Sequence, residues 1–438
     1  MSIKRVALFV LAFVIPPLAA GAIAILLRLR GTGAALDAAP LGAIAMPDPR
    51  PPMTTLPLAV VVVGNRGTEI TDALPIVELL VASGAFEVRT VAPTRAPSPL
   101  ATNALKDAGL DLIPDLGFDD YARRVGRPPA LVVVPYLPRW EDEDAAVIPW
   151  LEAHVGRATA VLSICQGAEL AAAAGLFDGH AATANDRMLG ALARRFPAVR
   201  WQEDVRWVGD DRRFSSALLA GGLDATLAAI DALAGRDAAL RAATETQYSR
   251  GLRALADRSQ PRAHLPVHTL VAAAYRWSQA RVGVVIGDGV SEAAVAGLID
   301  AYAATYTTDP IAVAASRRIV YTRSGLAVVP RAATAALDPG DLLAFAEGEG
   351  YGYDRALAAI ARSHGAAAAI DAAALLDYPT GHLTLPAGPR LGDDVAGRPL
   401  LLGLLGVMTA WLGSRRRRTK SRAAKNPRSA LSPAASLG

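Results

Sequence analysis

From Val6 to Leu27 the chain runs for 22 residues without a charge, bracketed by Lys4 and Arg5 before it and by Arg28 and Arg30 after it. A helix needs about 20 such residues to cross the hydrocarbon of a bilayer, so residues 1–30 are expected as a transmembrane anchor, set apart from whatever folds in water. A cleaved signal peptide is the alternative, but its apolar core is usually ~7–15 residues long and is not followed directly by Arg-Leu-Arg. A second uncharged run, Pro399 to Gly413, is 15 residues long, a length shared by short spans and buried helices. Its flanks favour a span over 398–413: Trp411 suits an interface, Arg398 can snorkel, and Arg415–Arg418 open a positive tail of the kind retained in the cytoplasm. With both runs spanning, both termini are cytoplasmic and the body between them is extracytoplasmic, in a bacterial inner membrane.

The charge distribution supports that division. The last 24 residues carry eight Lys/Arg and no acid, and residues 1–30 carry four more. Removing those twelve from a net charge of +4 leaves −8 for residues 31–414. An acidic body argues against gripping a phosphate backbone, so no nucleic-acid partner is expected. The tail at 414–438 reads as disordered and membrane-proximal; a nucleic-acid arm is the other reading of such a run. The hydrophobic content of 52% is ample for buried cores. A single cysteine excludes an internal disulfide framework and a cysteine zinc cluster.

Residues 31–56, rich in Ala, Gly and Pro, read as a semi-rigid stalk. After it, Leu58–Val63 is an unbroken apolar run, Gly64-Asn-Arg-Gly67 breaks it, Thr68–Ala82 has helical spacing, and Phe86–Val91 resumes as strand. Such β-loop-α-β order implies a parallel sheet with helices on both faces. Strands at Leu131–Val134, Thr159–Ile164 and near Arg213–Leu219, with helices through Trp150–Val155, Ala168–Ala174 and Asp224–Ala234, extend it to about six strands within residues 57–238. A polar linker over 239–265 leads to a second α/β unit at 266–380. There Gly287-Asp-Gly-Val-Ser-Glu292 matches Gly64-Asn-Arg-Gly-Thr-Glu69 in the spacing of its Gly and Glu, so the body reads as duplicated, the second copy degenerate and without chemistry.

The run Val161-Leu-Ser-Ile-Cys165-Gln-Gly167-Ala-Glu-Leu places a cysteine at the tip of a strand immediately before a helix. There the helix dipole and backbone amides favour thiolate and lower the thiol pKa. The turn is that of a nucleophile elbow, with Gly167 as the small residue it needs. The plain alternative is a small buried hydrophobe.

Together with Gly175-Leu-Phe-Asp178-Gly179, Ala182-Thr183, Gly67-Thr-Glu69-Ile-Thr-Asp72, Val88-Arg-Thr-Val-Ala-Pro93 and Phe214–Asp224, this run resembles the ThiJ/PfpI family of the class I glutamine amidotransferase-like superfamily over about residues 57–238. The resemblance implies a flavodoxin-like three-layer sandwich with Cys165 at the carboxyl edge of the sheet. It also implies a glutamate hydrogen-bonded to the cysteine. Glu69 is the best match and Asp72 the alternate, and Glu69 can equally be a first-turn acid serving the helix dipole. Active relatives carry a histidine directly after the cysteine or at the end of the next strand; here those positions read Gln166 and Asn185. His180 is close in sequence but reads as a solvated loop residue. The Gly-Gly whose amides can form an oxyanion hole is replaced by Tyr136-Leu137. Nothing after residue 238 reads as the helix-turn-helix pair of some relatives, and Arg139–Asp144 is an acidic cluster more typical of a loop than of a metal site.

Three readings follow. One is a cysteine-dependent hydrolase or amidase acting through Cys165, tuned by Glu69, with Gln166, Gly167, Asn185, Tyr136 and Leu137 lining the site. Another is a non-catalytic membrane-bound module that binds a small molecule or senses, having lost the histidine. Between them lies a thiol-stress sensor oxidised at Cys165. No cofactor and no metal are implied, and the partners expected are the membrane, a small-molecule ligand, and either a pseudo-dimer of the two α/β units or a homodimer.

Overall fold

The apolar run Leu58–Val62 (β1) is buried along its whole length, as a parallel strand covered on both faces must be. In the computed structural model, which describes residues 3–29, 36–51, 55–138, 140–256, 258, 266–276, 279–344, 351–389, 395 and 397–425, this strand belongs to a seven-stranded sheet. Helix α1 is Ile3–Leu29. After β1 come α2 (Ile70–Ala82), β2 (Glu87–Ala92), β3 (Leu116–Gly117), β4 (Leu131–Val134), β5 (Ala160–Ile164), α3 (Gly167–Ala173), β6 (Trp207–Asp210), β7 (Arg213–Ser216) and α4 (Leu219–Ala234). The strand order is β6-β7-β5-β4-β1-β2-β3. All pairings are parallel except β6 with β7, and the register sets Leu58 beside Glu87, Ala59 beside Leu131, and Leu131 beside Ala160. The chain moves from β1 outward to β2 and then crosses back to β4. The carboxyl ends of β1, β4 and β5 therefore meet where the winding reverses, the place at which open α/β sheets put their sites.

The second half repeats the β-loop-α-β order with β8 (Ala280–Val285), α5 (Glu292–Ala304) and β9 (Thr308–Ala314), β8 and β9 pairing in parallel from Ala280 beside Thr308. Helix α5 reads EAAVAGLIDAYAA and is buried at all 13 positions; a helix apolar on every side is an interior helix. It packs on α2, itself buried from Ile70 to Leu80. A third sheet draws on both halves: Ala327–Pro330 pairs antiparallel with Asp107–Ile113, Ala327 opposite Ile113. Buried Arg206 adds a further tie, donating to Asp224 at 3.0 Å and to the Asp377 carbonyl at 2.7 Å. One compact unit is thus built from residues 30–270 and 278–389. Where the sequence pattern suggests a body of separate units, long-range strand pairing and buried charges join them.

The segment expected as a stalk is not free where it is described. Arg50 donates to Asp115 at 2.5 and 2.6 Å and to the Val88 and Ser324 carbonyls, and the Ala39 amide donates to Asp111. Residues 31–35 and 52–54 of that stretch, and 257 and 259–265 of the expected linker, lie outside the described residues.

The other compact unit contains residues 1–29, 271–277 and 390–438. Over Ile3–Leu27 α1 is long and apolar enough to cross a membrane, with a mean hydropathy of 2.5. It packs against α7 (Gly397–Lys425); in the second half α6 is Gly352–His364. A Cβ on Gly406 would meet the Ala12 carbonyl oxygen at 1.9 Å, so the two backbones touch, as small residues allow in helix pairs. The Arg398 guanidinium donates to the Tyr275 carbonyl at 2.5 Å. Helix α7 continues past the expected end at 413, through the basic segment to Lys425, since Arg, Lys and Ala are good helix formers; residues 426–438 of the tail lie outside the described residues.

Candidate functional site

The strand β5 ends at Ile164 and α3 begins at Gly167, leaving two residues to reverse the chain. Cys165 takes φ +55°, the left-handed region that costs a residue with a Cβ about 1–2 kcal/mol and marks strained functional turns. Its amide donates to the Ser216 carbonyl on β7 at 3.1 Å, which holds the strain in place. Gly167 is required by contact: a Cβ there would lie 2.1 Å from the Val134 carbonyl oxygen and 2.7 Å from that of Pro135.

Three strand ends converge on this turn. From β4 come Tyr136, half-buried, and Leu137, buried. From β1 the chain passes through the loop 64–68 into α2, carrying Glu69 and Asp72, both fully buried. The loop is held by Asp144, whose carboxylate accepts from the Asn65 and Arg66 amides at 3.0 and 3.2 Å. Asp144, an acid of the 139–144 cluster, is buried and organises the loop; Arg139 and the side chain of Glu143 lie outside what is described.

The hydrogen bonds distribute roles differently from the resemblance. Glu69 caps α2, its Oε2 accepting from the Asp72 amide at 2.7 Å. The carboxyl that acts on the Cys165 thiol is that of Asp72, whose Oδ2 accepts from the Tyr136 amide at 3.0 Å. Burial first, and then the Asp72 charge, push the thiol well above its ordinary range; the Gln166 amide pulls weakly the other way. The lowered thiol pKa expected from the elbow is therefore overturned: the helix that follows is short, and desolvation of a buried thiolate outweighs its dipole. Burial, with Cys165, Glu169 and Asp72 nearby, likewise raises the Tyr136 phenol, to about 12.

The carboxyls are shifted too. Glu69 is held well above its usual value by burial and by the neighbouring charges of Asp300 and Asp72. Asp72 is raised to about 8, mainly by burial. Asp300, a buried acid on α5, accepts from Thr71 Oγ1 and from the Asn103 amide, the latter at 2.8 Å. Thr71 in turn lies 2.5 Å from the hydroxyl of Tyr353 on α6. The second half, expected to carry no chemistry, thus sends a carboxyl to the first strand-turn-helix. Its signal in the sequence is an aspartate in the middle of an otherwise apolar helix.

Gln166 lies at the turn itself, where its backbone amide faces the thiol, and it precedes α3 without a side-chain capping bond. Asn185 caps the helix Asp186–Arg195 through the Arg187 amide at 3.1 Å. His180 pairs with Asp210 at 3.6 Å. No histidine or other cation figures among the groups acting on Cys165. Among the described residues no group of three or more His, Cys, Asp or Glu is arranged to hold a metal ion.

No protein-family model and no curated protein matches the sequence. Among solved structures, DJ-1beta of Drosophila melanogaster is 16% identical over 44% of this chain and 98% of its own, with a TM-score of 0.37. A ThiJ/PfpI family protein from Pseudomonas syringae is 23% identical over 52% of this chain and 89% of its own, with a TM-score of 0.38. An AraC family transcriptional regulator from Pseudomonas putida is 17% identical over 43% and 99%, with a TM-score of 0.35. The chain is a mixed α/β protein with parallel sheets, and its neighbours among solved structures include DJ-1/ThiJ/PfpI family proteins, at low identity and over about half of its length.

Proposed function

We propose that this chain is a membrane-anchored, non-catalytic module of the ThiJ/PfpI type, which binds a small molecule or senses its surroundings through a site built on Cys165. The observation that carries this reading is the state of the thiol: buried, beside Asp72, with no base or cation acting on it. A nucleophilic cysteine needs thiolate, supplied by a neighbouring histidine, a cation or an exposed helix end. Here burial and an acid oppose it. A neutral thiol beside Asp72 and the Tyr136 phenol suits an uncharged hydrogen-bonding group.

The anchor is α1, with α7 as a second span packed against it through Gly406; this leaves both termini cytoplasmic and the body outside, since the basic run from Arg415 follows the apolar stretch. The two halves of the body act as a pseudo-dimer within one chain, each contributing one helix to the α2–α5 contact. The test is turnover. Full-length protein in detergent and its Cys165→Ser variant are offered activated esters and peptide amides, and both are expected to give the same background rate. A burst of about one product per chain that the serine variant lacks overturns the proposal. The second reading, cysteine-dependent chemistry, draws on the φ of +55° at Cys165, a conformation of the kind that strained active-site turns adopt, and that burst is the result it requires.

A further inference from the structure

The acids between the two halves form pairs in which one member comes from each half. Glu69 at the start of α2 meets Asp300 of α5, and Glu292 at the start of α5 meets Glu78 of α2. Two carboxyl groups joined by a hydrogen bond must share a proton between them. At the first pair the donors favour Glu69 as its holder. Both Asp300 oxygens accept, one from Thr71 Oγ1 and one from the Asn103 amide. Glu69 Oε2 accepts from the Asp72 amide, while Glu69 Oε1 is buried and receives no donor, so a proton held on Glu69 has the carboxyls of both Asp300 and Asp72 to donate to. Asp72 Oδ1 is likewise buried without a donor.

We propose that Asp300, although it belongs to the second half, is a positioning residue of the Cys165 site: it accepts a hydrogen bond from protonated Glu69 and fixes the single negative charge of the pair behind Asp72. The groups facing Asp300 are Glu69, Thr71 and Asp72 from α2 and its lead-in, Asn103 from the hairpin 98–113, and Tyr353 from α6. No cation figures among the groups acting on Glu69, Asp72 or Asp300. The charge on Asp300 is therefore uncompensated and is felt by Asp72, which it helps keep protonated until about pH 8. Through Asp72 it reaches the thiol. This assignment rests on the reading of Cys165 as a neutral thiol.

The experiment is the pH profile of Cys165 alkylation by iodoacetamide in the full-length chain. Below the thiol pKa the rate climbs about tenfold per pH unit, and ionisation of Asp72 near pH 8 flattens the climb. Asp300→Asn removes the charge behind Asp72, and the break moves to lower pH. Glu78→Gln, at the other pair of the same helix contact, leaves the break where it is. Should Asp300→Asn fail to fold, Glu69→Gln gives the answer: its amide donates permanently to Asp300, so the break stays near pH 8. An unmoved break in Asp300→Asn, or a displaced one in Glu69→Gln, overturns the proposal and leaves Asp300 as glue between the halves. Cysteine-dependent turnover in the wild type defeats the non-catalytic reading instead, and is read from a separate assay.

Discussion

The two strand-turn-helix units of the body are alike in backbone and unlike in what surrounds their glutamates. Glu69 and Glu292 each stand at the entrance to a buried helix, and each meets an acid of the other half. Glu292 is served by its own half, accepting from Thr322 Oγ1 at 2.6 Å and the Ser324 amide at 2.8 Å. Its partner Glu78 accepts from Ser291 and the Ala293 amide and lies 3.2 Å from Arg323. At this end the acids find donors and a cation. Glu69 and Asp300 have donors but, among the described residues, no cation, and near them stands the elbow with Cys165. Each glutamate leaves one buried oxygen without a partner, Glu69 Oε1 and Glu292 Oε2, so the two ends differ in the cation, which stands at the Glu78 pair, and in the cysteine beside Asp72.

The largest effect separates the elbow from the rest of the fold. Gly167→Ala forces a methyl group against the Val134 and Pro135 carbonyls and is expected to cost about 3 kcal/mol, read as a fall in the denaturant midpoint, together with faster alkylation of Cys165 as the turn opens. Unchanged stability and reactivity would mean that the turn is not tight.

The second effect is on pH. Burial, followed by the charge on Glu78, raises Glu292 from 4.5 to about 7. The folded protein then holds a proton that the unfolded chain releases, so this contribution is whole below about pH 4.5 and is lost as pH rises toward 7. The loss is on the order of 2–3 kcal/mol. Melting temperature is expected to fall across that window, and less steeply in Glu292→Gln; parallel curves would show that Glu292 titrates normally.

The smallest effect probes the cation at that pair. Arg323 is more than half exposed, so its ion pair with Glu78 is screened, and Arg323→Ala is expected to cost under about 1 kcal/mol. A larger loss in urea unfolding would make the two pairs differ in strength as well as in chemistry.

Much of the fold was legible because its signals are local. The unbroken run Leu58–Val63, the break at Gly64–Gly67 and the apolar spacing after it foretell a covered parallel strand entering a buried helix, and the Cys165-Gln-Gly167 turn lies where the pattern puts it. What was hidden depends on contacts distant in sequence. The sheet shared by Asp107–Ile113 and Ala327–Pro330, the ties of Arg50 to the body, and the reach of Asp300 toward Glu69 leave no periodic trace. The sign of the Cys165 shift is hidden for the same reason: the helix dipole can be read from order along the chain, while desolvation requires the finished core.

The central claim is that Cys165 is a neutral thiol, and the pH at which its alkylation is half-maximal in the full-length chain tests it most directly. The account predicts a value well above the ~8.5 of a free cysteine, moving down in Asp72→Asn as the nearby charge is removed. A value below that of the free thiol, unmoved by Asp72→Asn, would contradict it and return Cys165 to the role of a primed nucleophile.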